Sequence, residues 1–217
     1  MKLVLFGAPG CGKGTQCPAL TERYEICHLS TGDMLRASVA AGTPNGKLAK
    51  AKMDAGQLVS DDIVFGIVHE ALEKPECKKG YIIDGLPRTL EQAKKMEASG
   101  IAVDAVVSFE VPDDVIIERT SGRWIHRASG RSYHTIFNPP KKPGLDDVTS
   151  EPLIQRADDK KEVVQKRLEV FHSEVGPIKR YYNEQGKLHS IDGNRPMDVV
   201  RSDLFRILDP IARATSS

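Results

Sequence analysis

No apolar run in this 217-residue chain is long enough to cross a bilayer, no charge of either sign dominates, and cysteines are few. Each absence closes off a class of function. A spanning helix needs about 20 consecutive apolar residues, so no segment reads as one. Thirty-one basic residues against 30 acidic ones leave a formal charge of +1. That balance gives no global field to draw in nucleic acid or a membrane surface, so any anion site must be local. Cys11, Cys17, Cys27 and Cys77 form no Cys-x-x-Cys pair and are too sparse for a disulfide scaffold. Reduced thiols in an intracellular compartment, with the cytoplasm as the default, are the expectation. The apolar segment from residue 2 has the character of a core strand, which leaves no room for a cleavable signal. Internal repeats and low-complexity tracts are missing as well.

What remains is 40% hydrophobic and 28% charged, enough for one α/β core with insertions. Five short apolar, β-rich runs stand at 2–7, 26–29, 81–84, 105–111 and 188–191. Helical spacing separates them: Val164, Leu168, Phe171 and Val175 form one apolar face, and Val200, Leu204, Ile207, Leu208 and Ile211 another. This alternation predicts a parallel five-stranded sheet with helices on both faces. Two stretches interrupt it. Residues 30–59 read as two short helices, the first capped by Ser30-Thr31-Gly32-Asp33 and stopped near Gly42, the second starting at Asn45 and ending at Gly56. Residues 122–159 are rich in glycine and proline, and Ser129-Gly130 separates 123–128 from 131–137 as in a β-hairpin. A segment this long without a helix predicts a functional lid.

The chemistry begins at Gly7-Ala8-Pro9-Gly10-Cys11-Gly12-Lys13-Gly14-Thr15, directly after the first strand. Glycines let backbone N–H groups approach phosphate oxygens, and the helix that follows turns its positive end to the same anion. Lys13 adds a mobile charge, and Thr15 offers a hydroxyl to a bound Mg²⁺. The strict pattern wants Ser or Thr directly after the lysine, where this chain has Gly14. Tyr81-Ile82-Ile83-Asp84-Gly85 is an apolar strand ending in a carboxylate. Asp84 can hold the water shell of Mg²⁺ beside the loop or merely cap a turn, and the loop favours the metal role. Asp158-Asp159 either adds negative charge near that metal or starts a solvated helix. Arg36, Arg88, Arg119, Arg123, Arg156 and Arg167 lie at element ends or beside the two inserts. Guanidinium forks suit a site where negative charge on two substrates must be drawn together.

With 7–15, Ser30-Thr31-Gly32-Asp33-Met34-Leu35-Arg36, Asp84-Gly85-Leu86-Pro87-Arg88-Thr89, Gln92 and the hairpin insert together, the chain resembles the adenylate kinases of the long-lid type. The resemblance runs over essentially the whole chain and implies a P-loop NTPase-type fold. It implies a core of 1–29, 60–121 and 160–217, an AMP-binding domain of 30–59 and a lid of 122–159. The implied reaction transfers the γ-phosphoryl of Mg-ATP to AMP, giving two ADP, with Mg²⁺ as cofactor and adenine nucleotides as partners. Neither nucleic acid nor membrane takes part, and the chain acts as a monomer. By resemblance Gly10, Cys11, Gly12, Lys13, Gly14, Thr15, Arg119, Arg123, Ser132, Tyr133, Phe137 and Arg195 bind ATP, with Arg119 stacking on its base. AMP falls to Thr31, Gly32, Arg36, Gln57, Leu58, Val59, Gly85, Arg88, Gln92, Arg156 and Arg167. Arg36 and Arg88 take the AMP phosphate, and Gln92 pairs with an adenine edge. Lys13, Arg88, Arg123, Arg156 and Arg167 are the implied catalytic residues, with Asp84 reaching Mg²⁺ through water. Two alternatives stay open: GTP as donor, and a nucleotide-binding sensor without turnover. Retention of Lys13, Asp84 and the arginines argues against the second.

His126, Ser129, Asp146 and Thr149 repeat a zinc-ribbon spacing at which some members of the family hold structural zinc. Hydroxyls are poor zinc ligands, so a hydrogen-bond network joining the two halves of the lid is expected in place of the metal. Pro18 removes a hydrogen bond to the Gly14 carbonyl and is expected to kink or open the first helix. Cys11 reads as a small loop residue, although the helix N-terminus and Lys13 both favour its thiolate.

Overall fold

Side-chain alternation along the first strand, β1 (Lys2–Gly7), sets the architecture. In the computed structural model, which describes residues 1–215, Val4 and Phe6 point into one apolar cluster and Leu3 and Leu5 into another. A strand buried on both faces must be covered by helices on both sides. Beside it lie β2 (Cys27–Ser30), β3 (Tyr81–Asp84), β4 (Ala105–Glu110) and, after the insert strands, β8 (Leu188–Asp192). The sheet order is β2-β3-β1-β4-β8, with every pairing parallel. The five predicted runs are these five strands, displaced by a residue at some ends.

One face is closed by α4 (Asp61–Leu72), α5 (Leu90–Ala98) and the end of α7 (Lys161–Glu184), through Val68, Met96 and Ile178. The other is closed by α1 (Lys13–Tyr24), α6 (Asp113–Ser121), the start of α7, and α8 (Met197–Thr215), through Leu20, Ile116, Val164 and Leu204. Val200, Leu204 and Leu208 are buried along α8, while Ile207 and Ile211 are only partly covered. No helix among the described residues is long and apolar enough to cross a membrane.

Between β2 and α4 stand α2 (Thr31–Ala40) and α3 (Pro44–Asp54). Ser30 caps α2 by accepting from the Asp33 amide. The second helix starts earlier than Asn45, because the Thr43 side chain accepts from the Gly46 amide and Pro44 supplies the first-turn φ. The other insert is a three-stranded antiparallel sheet, with β5 (Arg123–His126) in the middle of β6 (Ser132–His134) and β7 (Leu153–Ile154). Its third strand, two residues long, was not expected.

The expected disturbance at Pro18 does not end α1, which runs through it from Lys13 to Tyr24. A proline this near the N-terminus leaves only the Gly14 carbonyl without its intrahelical donor. The cysteines are not all reduced: Cys27 and Cys77 form a disulfide across 50 residues, while Cys11 and Cys17 are free and buried. Cys27 opens β2 and Cys77 closes the short 3₁₀ turn Pro75–Cys77 ahead of β3, so the β2–β3 pairing brings them together.

Candidate active site

At the carboxyl ends of β1 and β3 the chain encloses a cleft of about 1020 Å³, reaching the glycine loop, both inserts and the start of α8. Ligands in open parallel sheets bind at this edge. The loop after β1 is tightly wound. Gly10 has φ 83°, and a Cβ there would run into Thr120 Oγ1. Lys13, first residue of α1, curls back so that its Nζ donates to the carbonyls of Gly7 (2.8 Å) and Ala8 (3.0 Å). Cys11 Sγ lies 3.4 Å from the same nitrogen, but Cys11 is only 1% exposed. Burial therefore agrees with Cys11 as a small loop residue and works against an accessible thiol. Thr15 is exposed at the loop's rim, and Gly12, Gly14 and Thr15 all line the cleft.

Asp84 ends β3 on the cleft floor, with Lys13 near and His28 Nε2 3.8 Å away. Burial acts to raise its pKa, but His28 and Lys13 outweigh burial and hold the carboxyl below the usual carboxylate range. A charged carboxylate beside the loop, with the Thr15 hydroxyl on the same wall, fits an oxygen-seeking Mg²⁺ held partly through water.

The arginines converge. Arg36, Arg88, Arg123, Arg156 and Arg167 line the cleft together. Burial pushes Arg156 down to about 10, helped by the positive charges of Arg36 and Arg123. Burial likewise lowers Arg167 to about 10, with Arg88 and Arg123 adding repulsion and Asp158 opposing them. Arg88 is lowered too, chiefly by burial. Its Nε donates to the Gly85 carbonyl at 2.8 Å. Gly85 has φ 94°, and a Cβ there would strike Thr31 Oγ1, so glycine is what lets α2 close on this turn.

Acidic partners hold the arginines. Asp33 pairs with Arg36 (2.6 Å) and Arg156 (3.0 Å), Asp158 with Arg167 (2.8 Å) and Arg36 (3.6 Å), and Asp159 with Arg123. Asp158 and Asp159 are thus held by arginines rather than left in solvent, and Asp158 lines the same cleft as Asp84. Asp33 is the partner that sequence reasoning missed, having been read only as part of a cap.

The remaining expected residues sort into two groups. Arg119, Ser132, Tyr133, Phe137 and Arg195 all border the cleft. Arg119 Nη1 donates to the Gly193 carbonyl at 3.0 Å, and Arg195 pairs with Asp203 at 2.8 Å. Phe137 is 58% exposed, a large apolar ring left open beside the cleft. Tyr133 turns its hydroxyl away, donating to Asp146 at 2.8 Å. On the other side, Gly32, Gln57, Leu58 and Val59 line the cleft, while Thr31 and Gln92 stand behind it in a recess of only about 10 Å³. That volume holds about one water, so a base enters only if the recess opens. Gln92 is fixed at both ends. Its Oε1 accepts from the Arg88 amide and its Nε2 donates to Asp61 Oδ1, each at 2.7 Å.

In the β-rich insert, His126 Nδ1 and Ser129 Oγ lie 2.7 Å apart, and Thr149 Oγ1 donates to Asp146 Oδ2 at 2.9 Å. Arg131 donates to both Asp146 oxygens, at 2.8 and 2.7 Å, and Glu151 joins at His126 Nε2. With both carboxylate oxygens taken by a guanidinium, these four positions suit a hydrogen-bond network rather than zinc.

Strand, glycine loop, helix and converging arginines define a phosphate-loop nucleotide-binding protein. The adenylate kinase family model matches residues 5–187. Adenylate kinase 4 of Oryza sativa subsp. japonica is 52% identical over 211 residues, which cover 95% of this chain and 87% of that protein. Adenylate kinase 4 of Arabidopsis thaliana is 50% identical over 211 residues, covering 95% and 86%. The chain belongs to the adenylate kinase family. It is a phosphotransferase with a phosphate group as acceptor, acting on adenine nucleotides, and neither a GTP donor nor a sensor without turnover is favoured.

Proposed function

We propose that the glycine loop and the β-rich insert hold Mg-ATP while α2, α3 and the turn after β3 hold AMP, with the γ-phosphoryl moving between them. One observation carries this reading: five partly buried arginines from the core and both insert borders line a single cleft that also contains Lys13. Positive charge gathered in a cleft favours anion binding and stabilises charge that develops there. Arg36 and Arg88 take the AMP phosphate, and Thr31, Gln57, Leu58, Val59, Gly85 and Gln92 frame its base. Arg119, Phe137 and Arg195 border the ATP base and ribose. Arg123, Arg156 and Arg167 surround the transferred group.

No general base is needed, because the acceptor is already an ionised phosphate oxygen. Catalysis is alignment plus stabilisation of charge by Lys13 and the arginines. Asp84 would hold magnesium through water, with Thr15 beside it. Bound there, the ion neutralises phosphate charge. Asp33, Asp158 and Asp159 pair with the guanidinium groups that line the cleft. A monomer is the proposed working unit, since one chain supplies both nucleotide positions. A cytoplasmic location belongs to the same proposal: the free thiols of Cys11 and Cys17 support it and the Cys27–Cys77 bond argues against it.

Coupled ADP formation from ATP and AMP tests the reading. Lys13→Ala should lower turnover by roughly a thousandfold, the scale of a charge-stabilising group in phosphoryl transfer. Its thermal midpoint should fall far less than its turnover, because the lysine donates only to loop carbonyls and Cys11 and shares with His28 the charge that offsets burial of Asp84. Near-normal turnover in the folded variant would contradict the assignment.

A further inference from the structure

We propose that Cys17, His28 and Asp84 form a binding site for a borderline-soft divalent cation of the zinc and cadmium class, on the floor of the nucleotide cleft. The three contribute donor atoms that all lie within 4.8 Å of one another. The fold explains the meeting. His28 is in register with Ile82 and Ser30 with Asp84 along β2 and β3, so His28 and Asp84 project from the same face of the sheet as Ile82. That face is covered by α1, where Cys17 stands one turn beyond Lys13.

Two further observations point to a ligand. His28 Nε2 is enclosed from solvent and has no hydrogen-bond partner, with the Asp84 carboxylate 3.8 Å off, beyond hydrogen-bond reach. A buried polar atom left unmatched is costly, so something is expected to satisfy it. The Cys17 thiol has only a weak contact, donating to the Lys13 carbonyl at 3.3 Å. Tetrahedral zinc, with bonds of about 2.0–2.3 Å, sets its donors roughly 3.5 Å apart. Closing this cluster on an ion therefore takes side-chain shifts of about an ångström.

The donor set also decides the metal. Magnesium demands oxygen ligands in near-ideal octahedral array, whereas thiolate, imidazole and carboxylate together suit zinc or cadmium. Water completes the sphere. Binding displaces the Cys17 proton to solvent, since only the thiolate ligates. An ion so held would take Asp84 away from magnesium and inhibit the enzyme. That consequence rests on the proposed role of Asp84, and binding itself does not.

The test uses the full chain, freed of metal and nucleotide, titrated with cadmium and read by ultraviolet thiolate-to-cadmium charge-transfer absorbance. One cadmium per chain should give the band, and zinc should displace it. Cys17→Ser should abolish the band, and Cys11→Ser should retain it. His28→Gln should weaken binding by at least about tenfold, the loss that even an outer-shell partner causes. At a partly exposed position, it keeps the test decisive should Cys17→Ser fail to fold. A band that survives Cys17→Ser, or equal cadmium affinity in the parent and His28→Gln, overturns the site. Zinc inhibition, measured against each variant's own basal rate, should be relieved in His28→Gln. Cadmium bound as described, with no zinc inhibition of the parent, would leave the site standing and remove the magnesium role of Asp84.

Discussion

Replacing Asp61 with alanine should weaken AMP binding and leave ATP binding alone. Asp61 touches no part of the cleft; it works through Gln92, which is 2% exposed and held by the Arg88 amide on one side and by Asp61 on the other. An amide carries two lone pairs and two N–H groups. The two internal bonds fix its orientation and leave one of each for a base edge. Without Asp61, a buried N–H loses its partner, at a cost of about 1–3 kcal/mol. Turning the amide to recover a partner would break the contact to Arg88. If that cost falls on AMP binding, the expected rise in KM for AMP is about five- to 150-fold.

Stability should fall too, because the folded protein itself bears the unmatched Gln92 N–H, about 1–3 kcal/mol. Asp61 also sits in the first turn of α4, where a carboxylate favours the helix dipole by about 0.3–1 kcal/mol. For a chain of this size each kcal/mol lowers Tm by about 2–4 °C. Steady-state kinetics varying AMP and ATP separately, with a thermal melt alongside, measure both effects. Gln92→Ala should raise KM for AMP similarly, and the double variant should add little, because the two residues act as one unit. An unchanged KM for AMP, or equal rises for both nucleotides, would refute the reasoning.

Reducing the Cys27–Cys77 bond, which closes 50 residues, should cost about 4 kcal/mol on the chain-entropy account, read as a lower Tm with reductant or in Cys77→Ser. Identical melts would show that the bond adds nothing. Asp33, Asp84 and Asp158 are all held below their ordinary range. A lowered folded pKa means stability that is complete above the unfolded value of about 3.9 and lost as pH falls through the folded one. Denaturant midpoints should therefore be flat from about pH 8 to 5 and drop below about 4, and a profile flat to pH 3 would contradict this. Trp124, the only tryptophan in the sequence, lies in β5 beside Tyr133. Its emission should change when a molecule joining two adenosines through five phosphates binds, because Arg123 next to it must exchange Asp159 for phosphate; tight binding with unchanged emission would count against closure of this insert.

The core strands were legible because parallel strands buried on both faces are written as continuous apolar runs, and the loop because its residues are adjacent in sequence. Contacts that depend on strand order were not. Cys27 and Cys77 meet only because β2 pairs with β3, and His28 reaches Asp84 for the same reason. Asp61 and Gln92 sit 31 residues apart on different helices, with no local pattern to join them. Arg131 and Glu151 escaped notice because the zinc-like spacing of His126, Ser129, Asp146 and Thr149 drew attention to those four alone. The start of α3 was misplaced because Asn45 and Thr43 are both good caps, and the proline at 44 decides for Thr43.

Charge is where the whole-chain view says least. A formal charge of +1 predicts only that any anion site is local, and the cleft does gather seven arginines and Lys13, interleaved with Asp33, Asp84, Asp158, Asp159 and further carboxylates. The clustering is local and partly buried. Arg156 and Arg167 are pushed down to about 10, first by burial and then by neighbouring guanidinium groups, and Arg156 Nε is enclosed without a partner. An unmatched buried donor on a cation that burial disfavours is costly to the fold. On the proposed binding mode, phosphate oxygens would supply both an acceptor and negative charge here, and binding would offset part of that cost. A phosphate acceptor would then be favoured over water, which brings no charge to the arginines.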